Sequence, residues 1–337
     1  MSNRQVSIAV DAMGGENSPF KVLKGSEIFL NYNKDSKIIF FGKKKLINEI
    51  INSFNIYLNN YEIIDCIDRV QDDDTPNTIL RSRKESSIFK GLNFIKNKEN
   101  CGFVSAGNTA ALMILSRLNI GMINGIDRPA ICSLIPNKNN FSIMLDLGAN
   151  VAVTSSNLFQ FAIMGFSYFS ILNKNKNPKI GILNIGTEDN KGFEFLQDAS
   201  KLIKNSFLNK YFIGFIEPNQ ITTGSCDIII SDGYTGNIML KSSEGISNFI
   251  TSNLRNIFNK SLKNKIIYKL LENDLIELKD KVNPEKYNGA SLIGLNGIVV
   301  KSHGGASPYA FSCALERCYN FAQNNLNKKI KNSINNL

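Results

Sequence analysis

The chain has 337 residues, is 43% hydrophobic and 20% charged, and carries a formal net charge of +10. This is an ordinary globular composition, long enough for a sizeable core, with no apolar stretch that could span a bilayer and no N-terminal signal core, so a cytosolic protein is expected. Six cysteines without a C-x-x-C pair, beside a single histidine, give neither a metal-ligand spacing nor a disulfide framework.

An apolar run at residues 7–10 stops at Asp11-Ala12-Met13-Gly14-Gly15. A short run bounded by turn residues predicts a buried strand. Pro19 opens a helix to residue 29, and residues 38–41 predict a second strand. The acids and proline of Asp72-Asp73-Asp74-Thr75-Pro76 mark the start of a helix over 78–95. The strand-then-turn pattern returns at 102–104, before Ser105-Ala106-Gly107-Asn108-Thr109 and a helix over 109–118. Asp127-Arg128-Pro129 turns the chain into a strand at 131–135. Residues 143–145 precede Asp146-Leu147-Gly148-Ala149-Asn150 and a helix over 157–172. Residues 180–185 precede Gly186-Thr187-Glu188-Asp189-Asn190-Lys191-Gly192, and residues 228–230 precede Ser231-Asp232-Gly233-Tyr234-Thr235-Gly236-Asn237. The last such run, 298–300, precedes Lys301-Ser302-His303-Gly304-Gly305.

Strands alternating with helices predict a single α/β domain over residues 1–337, a three-layer αβα arrangement around a mostly parallel, Rossmann-like sheet. Ligands of such sheets bind outside the carboxyl ends of the strands, so the six loops are expected to face one crevice. Residues 246–282 differ: Ile246, Phe249, Ile250, Ile257, Phe258, Leu262, Ile266, Leu270 and Leu271 recur at three- and four-residue steps, with Lys260, Lys263, Lys265 and Lys269 between them. This is a basic amphipathic helix or hairpin. Phe258, Ile266 and Leu270 are candidates for a membrane or dimer surface, against the alternative that they pack in the core. The polar tail 324–337 is expected to be a frayed helix end.

Glycines and small residues let backbone N–H groups approach a ligand, and the helix that follows adds its positive end, so these loops suit anions and phosphate above all. The candidate substrate- or phosphate-binding residues are Asp11, Gly14, Gly15, Ser105, Gly107, Asn108, Thr109, Asp146, Gly148 and Asn150 in the first three loops. Thr187, Asp232, Gly233, Thr235, Gly236, Lys301 and Gly304 are those in the last three. Ordinary N-capping is the competing reading of any one loop. Lys191, Asn237 and His303 are the candidate catalytic groups, since each can donate a hydrogen bond to phosphate or to a developing oxyanion. Asp11, Asp146 and Asp232 are odd neighbours for an anion; they are expected to orient loop N–H groups or a cation, and no metal or other cofactor is expected. Walker A, Gly-x-Gly-x-x-Gly and Gly-x-Ser-x-Gly patterns are all missing from the sequence. The basic residues form no aromatic-interleaved stripe, which points away from nucleic acid.

Taken in order, these loops and Gly125-Ile126-Asp127-Arg128-Pro129 resemble the bacterial phosphate acyltransferase family from about residue 6 to 317. The resemblance implies a fold of the isocitrate-dehydrogenase-like and phosphotransacetylase kind. It also implies acyl transfer from acyl-[acyl-carrier-protein] to inorganic phosphate, giving acyl phosphate for phospholipid synthesis. Acyl carrier protein and phosphate as partners, a homodimer, peripheral attachment to an anionic membrane surface and a membrane-bound glycerol-3-phosphate acyltransferase as consumer follow from the same resemblance. Glu16 stands where the family commonly has Asp, and Ala110 where it commonly has Gly; neither removes a reacting group. The rival readings are a phosphotransacylase using acyl-coenzyme A, a dehydrogenase of the same broad fold, and a non-catalytic carrier- or membrane-binding regulator.

Overall fold

The computed structural model describes residues 5–71, 73–173 and 177–335. The first half of the chain runs β1 (Ser7–Asp11), α1 (Phe20–Tyr32), β2 (Lys37–Gly42), α2 (Lys44–Ser53), β3 (Tyr61–Asp65), α3 (Pro76–Ser82), α4 (Ser87–Ile95), β4 (Cys101–Ser105), α5 (Thr109–Asn119) and β5 (Ala130–Asn137). It continues through β6 (Asn140–Leu145), α6 (Ser155–Leu172), β7 (Ile180–Leu183), α7 (Glu194–Lys204), β8 (Phe212–Ile216), β9 (Ile228–Ile230) and α8 (Gly233–Asn259). The remainder is α9 (Leu262–Leu270), α10 (Glu272–Val282), β10 (Ala290–Ile293), β11 (Ile298–Lys301), α11 (Pro308–Gln323) and α12 (Leu326–Asn335).

Among the described residues all eleven strands form one sheet, in the order β3-β2-β1-β4-β11-β10-β5-β6-β9-β7-β8. Successive residues of a strand point to opposite faces. Ile8 and Val10 of β1 join the core on one side, with Ile38 and Phe40 of β2. Ala9, Ile39 and Phe41 join the core on the other side. Burial on both faces explains why the strands read as unbroken apolar runs.

The expected single crevice needs revision. β1, β4 and β11 run parallel to one another, but β10 is antiparallel to both β11 and β5, and β5 is antiparallel to β6. The set β6, β9, β7 therefore runs opposite to the set β1, β4, β11. Loops at the carboxyl ends thus leave from opposite edges.

Three local expectations also change, and one alternative closes. The predicted helix 78–95 is two helices, each with its own N-cap: Thr75 accepts from Thr78 N and Ser86 from Phe89 N. Asp72, at its predicted start, lies outside the described residues. The run 180–185 is a strand only to Leu183, because Asn184 Oδ1 turns back to accept from Ile185 N. The tail is no frayed end: Leu326 and Ile330, one helical turn apart, are buried, and Lys329 and Ser333 reach Ser170 and Ser167 of α6. Its last two residues lie outside the described ones. The segment 246–282 is the distal part of α8 followed by α9 and α10. Among its described side chains the apolar ones are not in this chain's core: Phe249, Leu262, Ile266 and Leu270 are exposed, and Phe258 is half-buried against Tyr268.

Candidate active site

The carboxyl ends of β1, β4 and β11 build the first cluster. Asp11 is fully buried; its Oδ1 accepts from Met13 N at 3.1 Å and Ser87 Oγ at 2.6 Å, and its Oδ2 from Ser105 Oγ at 2.7 Å. Ser105 Oγ in turn accepts from Gly107 N. Burial pushes the Asp11 pKa up while these donors push it down. Gly14 is needed because a Cβ there would lie 2.6 Å from Gly107 N. Gly15 has φ +80° and sits against Ala106 O, Lys21 Nζ and Gly304 O. Asn108 caps α5, its Oδ1 accepting from Ala111 N, and Thr109 is exposed on the first turn. Lys301 Nζ donates to Ala106 O and Ser302 O, so it braces the loop carbonyls. His303 is exposed; its Nδ1 accepts from Gly305 N at 3.1 Å, which in the neutral ring leaves the hydrogen on Nε2 as an outward donor. A cavity of about 140 Å³ opens here between Met13–Glu16, Arg69–Gln71, Ser87–Ile88 and Gly107–Asn108.

The carboxyl ends of β6, β9 and β7 build the second. Asp146 is completely buried and repeats the role of Asp11. Its Oδ1 accepts from Ile131 N, Gly148 N and Ala149 N, and its Oδ2 from Asn150 N and Nδ2. Burial again raises the carboxyl pKa, against the donors of Ala149, Asn150 and Ile131. Gly233 N donates to Asn150 O at 2.8 Å, and Asp232 caps α8 by accepting from Thr235 N. A Cβ on Gly236 would come within 1.9 Å of Asp146 O, so the α8 N-terminus is seated directly on the β6 loop. Asn237, exposed near the start of α8, faces Gly148, where an added Cβ would lie 3.6 Å from the Asn237 side chain. In the β7 loop, Asn184 Nδ2 holds Lys191 O, and Gly192, with φ +80°, leaves room for the Asn184 amide. Lys191 Nζ is half-exposed and pairs with Glu188 at 3.3 Å, an exposed contact of little energy that leaves the ammonium available to a ligand. Thr187 faces a different depression, toward Lys204 and Phe212.

Asp11 and Asp146 therefore shape loops, both oxygens of each carboxylate being taken up by protein donors, and Asp232 caps α8 through Oδ1. Gly236 likewise serves close packing, whereas Gly148 supplies a φ of +133°. Among the described residues no group of three His, Cys, Asp or Glu converges as a metal site. The sequence reading missed Lys21, Ser87 and the segment Arg69–Gln71. A lysine between Phe20 and Val22-Leu23, in a helix otherwise buried on that side, was the available signal for Lys21.

The family model described as fatty acid synthesis protein matches residues 6–329. A phosphate acyltransferase of Clostridium tetani is 41% identical, covering 98% of this chain and 99% of its own length. One of Pelagibacter ubique is 40% identical over 98% of each chain. The chain belongs to the phosphate acyltransferase family. Like other phosphate acyltransferases it is an enzyme that transfers acyl groups. Solved phosphotransacetylases share its fold: that of Streptococcus pyogenes at TM-score 0.62 and 17% identity over 94% of both chains, and EutD of Staphylococcus aureus at TM-score 0.60 and 16% identity over 97% of this chain and 95% of its own.

Proposed function

We propose that the enzyme transfers a fatty acyl group from acyl-[acyl-carrier-protein] to inorganic phosphate, and that the acyl phosphate feeds phospholipid synthesis. One observation carries the mechanism: the described residues offer donors for an anion, while none of the six thiols is an activated nucleophile. Five of the six cysteines are buried and Cys313 is partly so. Burial pushes the Cys66 and Cys101 thiols up to about 11 and Cys226 up to about 12. An acyl-cysteine intermediate is disfavoured, and phosphate itself attacks the thioester carbonyl. The new P–O–C bond forms, the carbonyl pair moves to oxygen, and collapse expels the carrier thiolate. That leaving group, with a pKa of about 8.5, needs little acid assistance. The Lys191 ammonium and the Asn237 amide stabilise the oxyanion or hold the phosphate, and His303 assists from the first cluster through its Nε2 hydrogen. The +10 charge favours encounter with an acidic carrier.

The protruding α8–α10 segment, with exposed apolar side chains and lysines between them, is read as the surface that joins a second copy of the chain and, at its tip, an anionic membrane. That setting suits an amphiphilic product passed to a membrane-bound glycerol-3-phosphate acyltransferase. Among the described residues no helix is long and apolar enough to cross a membrane. The test is phosphate-dependent thiol release from acyl carrier protein and from acyl-coenzyme A, side by side. Faster release from the carrier is expected; preference for coenzyme A makes the enzyme a phosphotransacylase, and no release from either refutes the reading.

A further inference from the structure

Lys21 is only 2% exposed, although it is an ammonium on a short helix next to three glycine-rich loops. An unpaired ammonium is expensive to bury, so its neighbours must account for it. Its Nζ donates to Gly304 O, and the same carbonyl accepts from Glu16 N at 3.0 Å. The ammonium lies directly under Gly15, where a Cβ would be 2.8 Å from Nζ and 2.9 Å from Gly304 O. Three segments thus meet at one charge: the β1 loop, the start of α1 and the β11 loop. Burial lowers the lysine pKa, while the Glu16 and Asp11 carboxylates raise it. Gly304 follows His303, whose ring is tied back by Gly305 N and whose own backbone N–H is held by Asn288 Oδ1.

We propose that Lys21 is a positioning residue for acyl transfer: by binding the Gly304 carbonyl from below, it fixes the His303–Gly305 turn against the Gly14–Gly15 turn and so aims the imidazole at the reacting phosphate. This rests on the reading that His303 touches substrate. A purely stabilising residue at this place is better served by an apolar side chain of the same length, because replacing a buried charge by a well-packed hydrophobe is often neutral or stabilising. Stability and rate should therefore separate.

The experiment compares Lys21→Met, Lys21→Gln, His303→Gln and the Lys21→Met/His303→Gln double variant, using acyl carrier protein thioester and inorganic phosphate. Lys21→Met is expected to melt at or above the wild-type temperature, to lose about tenfold in kcat/KM for phosphate, and to exchange the Glu16 and Ala306 amides faster. Lys21→Gln keeps a donor toward Gly304 and should recover most of the rate. The double variant should be no slower than His303→Gln alone, since both losses pass through one group. Wild-type rate and exchange in Lys21→Met beside an impaired His303→Gln, or additive losses in the double variant, would overturn the proposal. An impaired Lys21→Met beside a wild-type His303→Gln would instead overturn the reading of His303. If Lys21→Met fails to fold, Lys21→Ala, which also lacks a donor toward Gly304, takes its place in the cycle, and unchanged exchange at Glu16 and Ala306 in that variant counts against the proposal.

Discussion

Gly236→Ala tests whether the seating of α8 sets the rate. A Cβ at this position would fall 1.9 Å from Asp146 O, a backbone atom that cannot swing aside, whereas real Cβ contacts essentially never fall under 3.0 Å. The α8 N-terminus must therefore lift from the β6 loop by about 1 Å, taking Asn237 away from Gly148 with it. A misplacement of about 1 Å at a reacting group is worth roughly 100-fold in rate, or about 2.7 kcal/mol. Gly245, further along the same helix, has nothing within 4 Å of its would-be Cβ. Gly245→Ala is then the control, expected to keep wild-type turnover and to gain about 0.5–1 kcal/mol from better helix propensity. The assay is steady-state thiol release with saturating phosphate, alongside thermal melting of each variant. A folded Gly236→Ala enzyme with turnover within a few-fold of wild type would refute the reasoning, because it would mean that Asn237 tolerates displacement and does not act at the reacting centre.

Three further outcomes are expected. Lys191→Ala and Asn237→Ala should each lower kcat by about 100–1000-fold without unfolding; near wild-type turnover removes that residue from the mechanism. Ile266→Glu and Leu270→Glu should keep the melting temperature and lose co-sedimentation with anionic vesicles, because these side chains are exposed in the folded chain; unfolding, or binding at the wild-type level, argues against a membrane tip. Arg83 donates Nε and Nη2 to Asp74 and Nη1 to Asp68, which orders the segment bearing Arg69 and Gln71. Those hydrogen bonds hold the Asp74 carboxyl below its ordinary value, so their stabilisation is present above about pH 4 and is lost as pH falls through the lowered folded-state pKa. Arg83→Met should lower the urea midpoint at pH 7 by an amount equivalent to about 2 kcal/mol, with a smaller difference from wild type at pH 3; an equal deficit at both pH values would show that the ion pair is not its cause.

β1, β4, β6, β9 and β11 were legible as short apolar runs bounded by turn residues. β3 was not, since Tyr61 and Glu62 at the sheet edge are exposed and the run carries polar residues. The reversal between the two halves escaped because period and turn chemistry carry no strand direction; it depends on the β5–β6 hairpin at Asn137–Asn140, a pairing between elements. The loops were legible as loops, yet the work of their aspartates was not. Asp11 and Asp146 look like ligand-facing groups in the sequence, and only the folded chain brings Ser87 or Ile131 N to them. Lys21 escaped for the same reason: its partner, Gly304, lies 283 residues away.

The place of β11 in the sheet bears on how the enzyme is made. It separates β4 from β10, and Lys301 reaches Ala106 across 195 residues of sequence. α1 packs against α11 near the other end of the chain. On a ribosome, β1 to β4 emerge early but keep an open edge until β11 follows, and such an edge is prone to pairing with other chains. An N-terminal fragment ending near residue 150 should therefore aggregate rather than fold, and the complete polypeptide should fold slowly, as long-range closure demands. Nascent chains of this enzyme would depend on protection until nearly the last strand has been synthesised.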